Sequence, residues 1–149
     1  MRVAEIMSHP VETTTAGEAA EAAYERMRRK RIHHLIVKEG ARIVGVLSAR
    51  DLDGPEQAEF RRVRTVGDLM TPHAVQVRDT TPVRRAANLM RGRNIGCIPV
   101  VDSHARVVGI VTTTDLLELI GKGAERPVAK PRRKTLPRRA PARYPKPPI

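Results

Sequence analysis

The stretch Val108-Gly109-Ile110-Val111-Thr112-Thr113-Thr114-Asp115-Leu116 decides the fold, because it occurs twice. Its counterpart is Val44-Gly45-Val46-Leu47-Ser48-Ala49-Arg50-Asp51-Leu52, with Gly45 and Gly109, and Asp51 and Asp115, each 64 positions apart. An almost unbroken apolar run ending at a hydroxyl residue reads as a strand buried on both faces. An Asp three residues further on reads as the first turn of a helix, where a carboxylate can accept backbone N–H groups at the positive end.

Working outward, the duplication extends over most of the chain. Val3-Ala4-Glu5-Ile6-Met7 returns as Val66-Gly67-Asp68-Leu69-Met70, and Tyr24-Glu25-Arg26-Met27 as Ala87-Asn88-Leu89-Met90, both 63 positions apart. The step from 63 to 64 falls in a turn, where Glu39-Gly40-Ala41-Arg42 faces the longer Asp102-Ser103-His104-Ala105-Arg106; loops absorb such insertions. Each copy reads as a strand (11–13; 74–77), a helix, two strands (35–37 and 43–47; 98–101 and 107–111) and a final helix beginning near Asp51 or Asp115. Ala19, Ala20, Ala22 and Ala23 favour the first copy's helix. In the second, Thr81 is placed to cap and Pro82 to occupy the first turn. Residues 53–65 read as a polar linker, and Gly40, Gly45 and Gly109 as isolated turn or strand glycines.

These segments, in this order, resemble the CBS domain family, and their duplication resembles the tandem pair called a Bateman module. The resemblance is carried by Ile6-Met7 and Leu69-Met70 before the first strand, by Asn94-Ile95-Gly96-Cys97-Ile98-Pro99-Val100-Val101-Asp102, and by the two stretches quoted first. The first copy departs from the family pattern at Ile36, where proline is common. The resemblance covers residues 1–121 and implies a small α/β (α+β) module. Its two strand-helix-strand-strand-helix repeats (1–52 and 66–121) are related by a pseudo-twofold axis, with a tail at 122–149.

It also implies a function: regulatory binding of an adenine nucleotide or related adenosyl ligand (AMP, ADP, ATP or S-adenosylmethionine) in the cleft between the repeats, with no required cofactor and no catalysis. In the family the motif Asp accepts the ribose hydroxyls, while side chains of the opposite repeat hold the phosphate. For Asp115, with Thr112 and Thr114 beside it, the opposite positions are His33, His34 and Arg50. For Asp51, with Ser48, they are Gly96, Cys97 and Thr114, which carry no charge. The Asp115 cleft is therefore the favoured one, with the base against Val11, Ile36 and Ile110. Family modules commonly pair through final helices, and Leu116, Leu117, Leu119 and Ile120 offer apolar surface for a homodimer.

Composition narrows the alternatives. Aromatic residues make up 2% of the 149, which disfavours a single-strand nucleic-acid platform built on stacking. No apolar run reaches the ~20 residues that cross a bilayer, and the N-terminus has no signal-peptide core, so the expectation is a cytoplasmic protein without membrane contact. The single cysteine, Cys97, fits a reducing compartment and reads as a small buried filler. The five histidines lack metal-ligand spacing. Neither a nucleophile elbow nor a P-loop nor a dinucleotide fingerprint is present. The run Arg26, Arg28, Arg29, Lys30, Arg31 reads as the solvated end of a helix.

The formal charge of +12 is unevenly placed: residues from Arg126 onward carry nine Lys/Arg and no acid, with seven of the twelve prolines and no glycine. Such a segment reads as an extended, disordered arm. It supplies an alternative function, a structural core whose basic tail contacts nucleic acid or an acidic partner protein.

Overall fold

The computed structural model describes residues 1–72 and 75–122. The first repeat contains β1 (Thr13–Thr14), α1 (Ala20–Lys30), β2 (His34–Glu39), β3 (Arg42–Ser48) and α2 (Ala49–Leu52). A 3-10 turn at Pro55–Gln57 and α3 (Ala58–Val63) lead to α4 (Val66–Leu69). The second repeat then lays down β4 (Thr71–Pro72), β5 (Val77–Arg78), α5 (Val83–Arg93), β6 (Cys97–Val101), β7 (Val107–Thr112) and α6 (Thr113–Lys122). The α/β architecture of two repeats read from the sequence is thus present.

The same local chemistry builds both copies. α1 and α5 each end on a residue with positive φ, Arg31 and Asn94, 63 positions apart. The β2–β3 hairpin closes over Gly40, whose φ of +59 suits a residue without Cβ. The longer β6–β7 loop is held by Asp102, whose Oδ1 accepts the N–H groups of His104 (2.8 Å) and Arg106 (3.0 Å). Alternation along β2 sends Leu35 and Val37 into a core with Met27, Leu47 and Leu52. In the second repeat Ile98, Val100 and Val111 join Val83, Ala86 and Met90. Each fully buried aliphatic side chain contributes about 1.5–3 kcal/mol.

The connection between the repeats is an exchange of segments. Val3 and Ile6 are buried in the second repeat's core, and Val3 N–H donates to Thr81 O at 2.8 Å. Ser8 pairs with Ile110 on the outer side of β7 through reciprocal backbone bonds of 2.8 and 3.0 Å. Conversely, Val66 is buried in the first repeat's core, Val66 N–H donates to Glu18 O, and β4 pairs antiparallel with β3. The sheet orders are β1-β2-β3-β4 and β5-β6-β7, the second completed by the Ser8 bridge. Gly45 and Gly109 are where the crossing chains pass: a Cβ at Gly45 would lie 2.6 Å from Thr71 O, and one at Gly109 would strike Met7. They are close-approach glycines, which their description as isolated strand glycines does not capture.

This exchange corrects several boundaries. The first strand of each copy pairs at Thr13–Thr14 and Val77–Arg78, later than residues 11–13 and 74–77. The preceding chain is engaged on the other sheet, and pairing begins only once it has crossed; Ala74 lies outside the described residues. The segment 53–65 is not a bare linker but contains α3, whose Arg61 donates from Nε to Glu21 at 3.0 Å and from a terminal guanidinium nitrogen to Leu52 O, with its Cζ 4.1 Å from the centroid of the Tyr24 ring. Thr81 does not cap α5: its Oγ1 accepts Arg78 N–H at 3.1 Å, and Pro82 is the cap residue. The cationic end of α1 is not merely solvated, since Arg26 pairs with Glu18 (2.9 Å) and Lys30 with Glu12 (2.8 Å). The tail read as a disordered basic arm lies outside the described residues from 123 onward.

Candidate functional site between the repeats

The site begins where β7 passes into α6. Asp115 is 4% exposed. Its Oδ2 accepts the Thr112 N–H at 2.9 Å and the Thr112 hydroxyl at 3.0 Å, and Thr112 Oγ1 accepts the Asp115 N–H at 3.3 Å. This reciprocal pair closes the first turn of the helix, as a capping box does. Asp115 Oδ1 faces the other way and accepts the hydroxyl of Ser8, at 3.1 Å, from the crossing N-terminal segment. Sequence reasoning missed Ser8. The signal was there: a hydroxyl residue follows methionine in both copies, Met7-Ser8 and Met70-Thr71.

The first copy is built differently. Ser48, at the end of β3, makes no side-chain cap bond, and Asp51 is exposed with no hydrogen-bond partner among the described residues. The helix starts are nevertheless placed alike, because Ala49 N–H donates to His33 O (2.8 Å) and Thr113 N–H to Gly96 O (3.0 Å).

Electrostatics tie the two halves together. His34, half-buried at the start of β2 opposite Ser48, is held below its ordinary pKa of 6.5 chiefly by burial and then by His33, while Asp51 and Asp115 both oppose that shift. A carboxylate from each repeat therefore acts on one imidazole. The equivalent position in the second sheet is Cys97, opposite Thr112, whose thiol is pushed up to about 11 by burial and by Asp51. Its thiolate is scarce at neutral pH, consistent with a packing residue.

The remaining positions are distributed around this centre. Arg50 is exposed on α2 and makes no ion pair among the described residues. His33 is exposed just before β2, and Thr114 is exposed in the first turn of α6. Val11 is half-buried ahead of β1; Ile36 and Ile110 are buried on the strand faces turned away from the two helix-facing clusters. A ligand would meet those two mainly through main chain. Even there the copies differ, because Ile36 N–H donates to Glu12 O at 3.2 Å while its counterpart Pro99 has no N–H. Two surface cavities, of about 410 and 820 Å³, lie elsewhere: one lined by Pro82, Arg84, Arg85, Asn88 and Leu89, the other along β3 and β4 from Ala41 to Pro72. Among the described residues no cluster of metal-ligating side chains occurs, and no helix is long and apolar enough to cross a membrane.

Two α/β repeats that exchange segments, each ending its core hairpin on a hydroxyl residue with an Asp three residues further on, define a tandem pair of like modules rather than a single-repeat domain. The chain belongs to the CBS domain family, whose profile matches residues 3–53 and 66–122. It is 32% identical over 135 residues to a CBS domain-containing protein of Dictyostelium discoideum, covering 83% of this chain and 93% of that one. It is also 32% identical to an L-aspartate semialdehyde sulfurtransferase of Methanocaldococcus jannaschii, over 80% of this chain but only 23% of the enzyme. Among solved structures it is similar to the CBS domain pair of protein MJ0100 in complex with 5′-methylthioadenosine and S-adenosyl-L-methionine, with a TM-score of 0.71 and 30% identity over 82% of this chain and 97% of that one. The structure of CBSX2 in complex with AMP, from Arabidopsis thaliana, gives a TM-score of 0.67 and 27% identity over 81% and 96%.

Proposed function

We propose that this chain is a regulatory module that binds an adenosyl ligand, an adenine nucleotide or a relative of S-adenosylmethionine, in the cleft between its two repeats. The observation that carries this reading is the buried Asp115 carboxylate at the start of α6, held by Thr112 on one oxygen and by the crossing Ser8 on the other. It sets an acceptor suited to ribose hydroxyls at the junction of the two repeats. The complexes of MJ0100 with two adenosyl compounds and of CBSX2 with AMP support the ligand class.

In this reading Asp115 accepts the ribose hydroxyls, with Thr112 and Thr114 framing the helix start, and Arg50, His33 and His34 hold the phosphate. A guanidinium suits that last role because its planar fork matches phosphate oxygens. The base rests near Val11, Ile36 and Ile110. Ser8 already donates to the carboxylate oxygen that a ribose hydroxyl would use, so ligand entry and the N-terminal crossing segment are linked. Asp51 and Ser48 form the weaker counterpart, because the positions opposite them, Gly96, Cys97 and Thr114, carry no charge. The two repeats, taken as residues 1–52 and 66–121 with 53–65 between, provide the two walls of the cleft. We further infer a homodimer through α6, on which Leu117 is 63% and Ile120 79% exposed while Leu116 and Leu119 pack on the core. The ligand then acts on a partner protein by shifting how repeats or protomers pack.

Calorimetry with AMP, ATP, adenosine and S-adenosylmethionine tests the reading. Asp115→Ala should weaken nucleotides and adenosine alike. Arg50→Ala should weaken only phosphorylated ligands, by about tenfold or more, given ~1.5–3 kcal/mol for a charge-assisted bond. Heat-silent titrations with all four compounds, or an Arg50→Ala variant that binds AMP as tightly as the parent, would overturn it.

A further inference from the structure

The duplication provides an internal control on charge, because α1 and α5 occupy equivalent places and positions 63 apart should agree wherever the fold requires it. The buried positions do agree in kind: Ala20 and Val83, Ala23 and Ala86, Met27 and Met90 are all buried and apolar. The exposed faces do not. Glu21 and Glu25 of α1 correspond to Arg84 and Asn88 of α5, and Ala22 corresponds to Arg85. α1 interleaves its cations with acids, and Glu21, Arg26 and Lys30 are all in ion pairs. α5 carries Arg84, Arg85, Arg91 and Arg93, all exposed, with no acidic residue on the helix. Among the described residues none of these four arginines makes an ion pair. Arg84 and Arg85 also stand in the first turn, where the helix dipole disfavours cations. Neither packing nor helix energetics asks for arginine there.

We propose that the outer face of α5 is a docking surface for the phosphate backbone of a double-stranded nucleic acid, read without base sequence. Arg84, Asn88 and Arg91 form one stripe at i, i+4 and i+7. The seven steps from Arg84 to Arg91 span ~10.5 Å at 1.5 Å per residue, long enough to meet more than one phosphate of a duplex that carries a charge every ~1.7 Å of its axis. Arg85 flanks the stripe at the cavity of about 410 Å³ that Pro82 and Leu89 help to line. Arginine forks and an amide are the groups that grip phosphate and sugar oxygens.

The other anionic partners fit less well. A membrane-surface helix needs an apolar face to bury in the interface, and that of α5 is spent on the core. A protein interface draws its energy from buried aromatic or aliphatic anchors; among the described residues the exposed large hydrophobic ones are Met1, Phe60, Val63, Leu117 and Ile120, none of them on α5. Single strands need stacking aromatics, and the face has none. This surface is distinct from the basic C-terminal segment and from the cleft between the repeats.

The test is a salt titration of the full chain binding a short random-sequence DNA duplex, followed by fluorescence anisotropy. Each phosphate contact adds about 0.9 to the slope of log K against log salt. The variant R84Q/R85Q/R91Q/R93Q should lower that slope by about two or more and weaken binding tenfold or more. The charge-matched control R28Q/R29Q/R31Q/R42Q should leave the slope unchanged. Equal slopes in the two variants would assign binding to the C-terminal segment or to net charge, and would overturn the proposal. So would an α5 variant that loses binding to phosphatidylserine vesicles while keeping the duplex. AMP calorimetry on the same variant reports whether the cleft is intact, so failure of this surface and failure of the nucleotide reading are separable. On the unmodified chain, phenylglyoxal footprinting should find Arg84, Arg85 and Arg91 shielded by the duplex and Arg28 and Arg29 not; the reverse pattern overturns the proposal without any variant.

Discussion

Ser8 and Asp115, 107 residues apart, are joined by a hydrogen bond of 3.1 Å from the serine hydroxyl to the carboxylate, so the start of the chain forms part of the last motif. Ser8→Ala removes one donor and leaves the two Thr112 bonds in place. The expected loss is about 1 kcal/mol, near the average for one intramolecular hydrogen bond. Urea unfolding followed by circular dichroism checks it, and an unchanged midpoint would show that the bond is not kept in solution.

The two motif aspartates should differ in their weight on stability. Asp115→Ala breaks the reciprocal pair with Thr112, a cap worth about 0.5–2 kcal/mol. Asp51→Ala removes an exposed side chain without such bonds and should fall within about 0.5 kcal/mol of the parent. Side-by-side urea curves decide; equal losses would mean that the first repeat caps its helix in solution as the second does.

Gly45 and Gly109 should tolerate alanine unequally. At Gly109 the atoms nearest the new Cβ all belong to the Met7 side chain, whose Cγ is 2.8 Å away and which can move. At Gly45 the nearest is the backbone oxygen of Thr71 at 2.6 Å, fixed by strand pairing, with the Met70 side chain beside it. Gly45→Ala should therefore cost about 1–3 kcal/mol, as overpacking does, and Gly109→Ala less. Thermal melts that rank them the other way would contradict the close approach of β4 to β3.

The depressed pKa of His34 sets a pH dependence with a definite sign. Folding favours neutral imidazole, so this contribution is fully present above the unfolded value of 6.5 and is lost as pH falls from there toward the folded pKa. His34→Gln should flatten the fall in melting temperature over that window. A bound phosphate acts oppositely, raising the pKa, so AMP affinity should rise as pH falls through the same range while adenosine affinity stays flat.

Pairing through α6 predicts that Leu117→Glu with Ile120→Glu yields a monomer without loss of fold, since both side chains are exposed and Leu116 and Leu119 supply the core contacts. Light scattering before and after substitution, with circular dichroism as the fold control, reads the outcome. A parent chain that is already monomeric at micromolar concentration would remove the dimer.

The sequence by itself determined the repeats, the type of nearly every element and the motif that places Asp51 and Asp115. Those features depend on residues near one another along the chain: apolar period, turn residues, a hydroxyl three before an acid. It also located the insertion in the β6–β7 turn, because a one-residue shift in register is visible in a duplicated chain. Only the tertiary structure decided which sheet edge each crossing segment takes. Residues 1–8 complete the second repeat and residues 64–72 the first, yet β3 and β7 present edges so alike that no local pattern distinguishes them. For the same reason the hydroxyl repeated after methionine, at Ser8 and Thr71, does not by itself point to Asp115, and Gly45 and Gly109 read as ordinary strand glycines until the chains passing over them are placed. The helix at Ala58–Val63 was hidden for a different reason: it is short and buries none of its residues, and it is held by Arg61 against Tyr24 and Glu21, contacts that only the folded chain brings together.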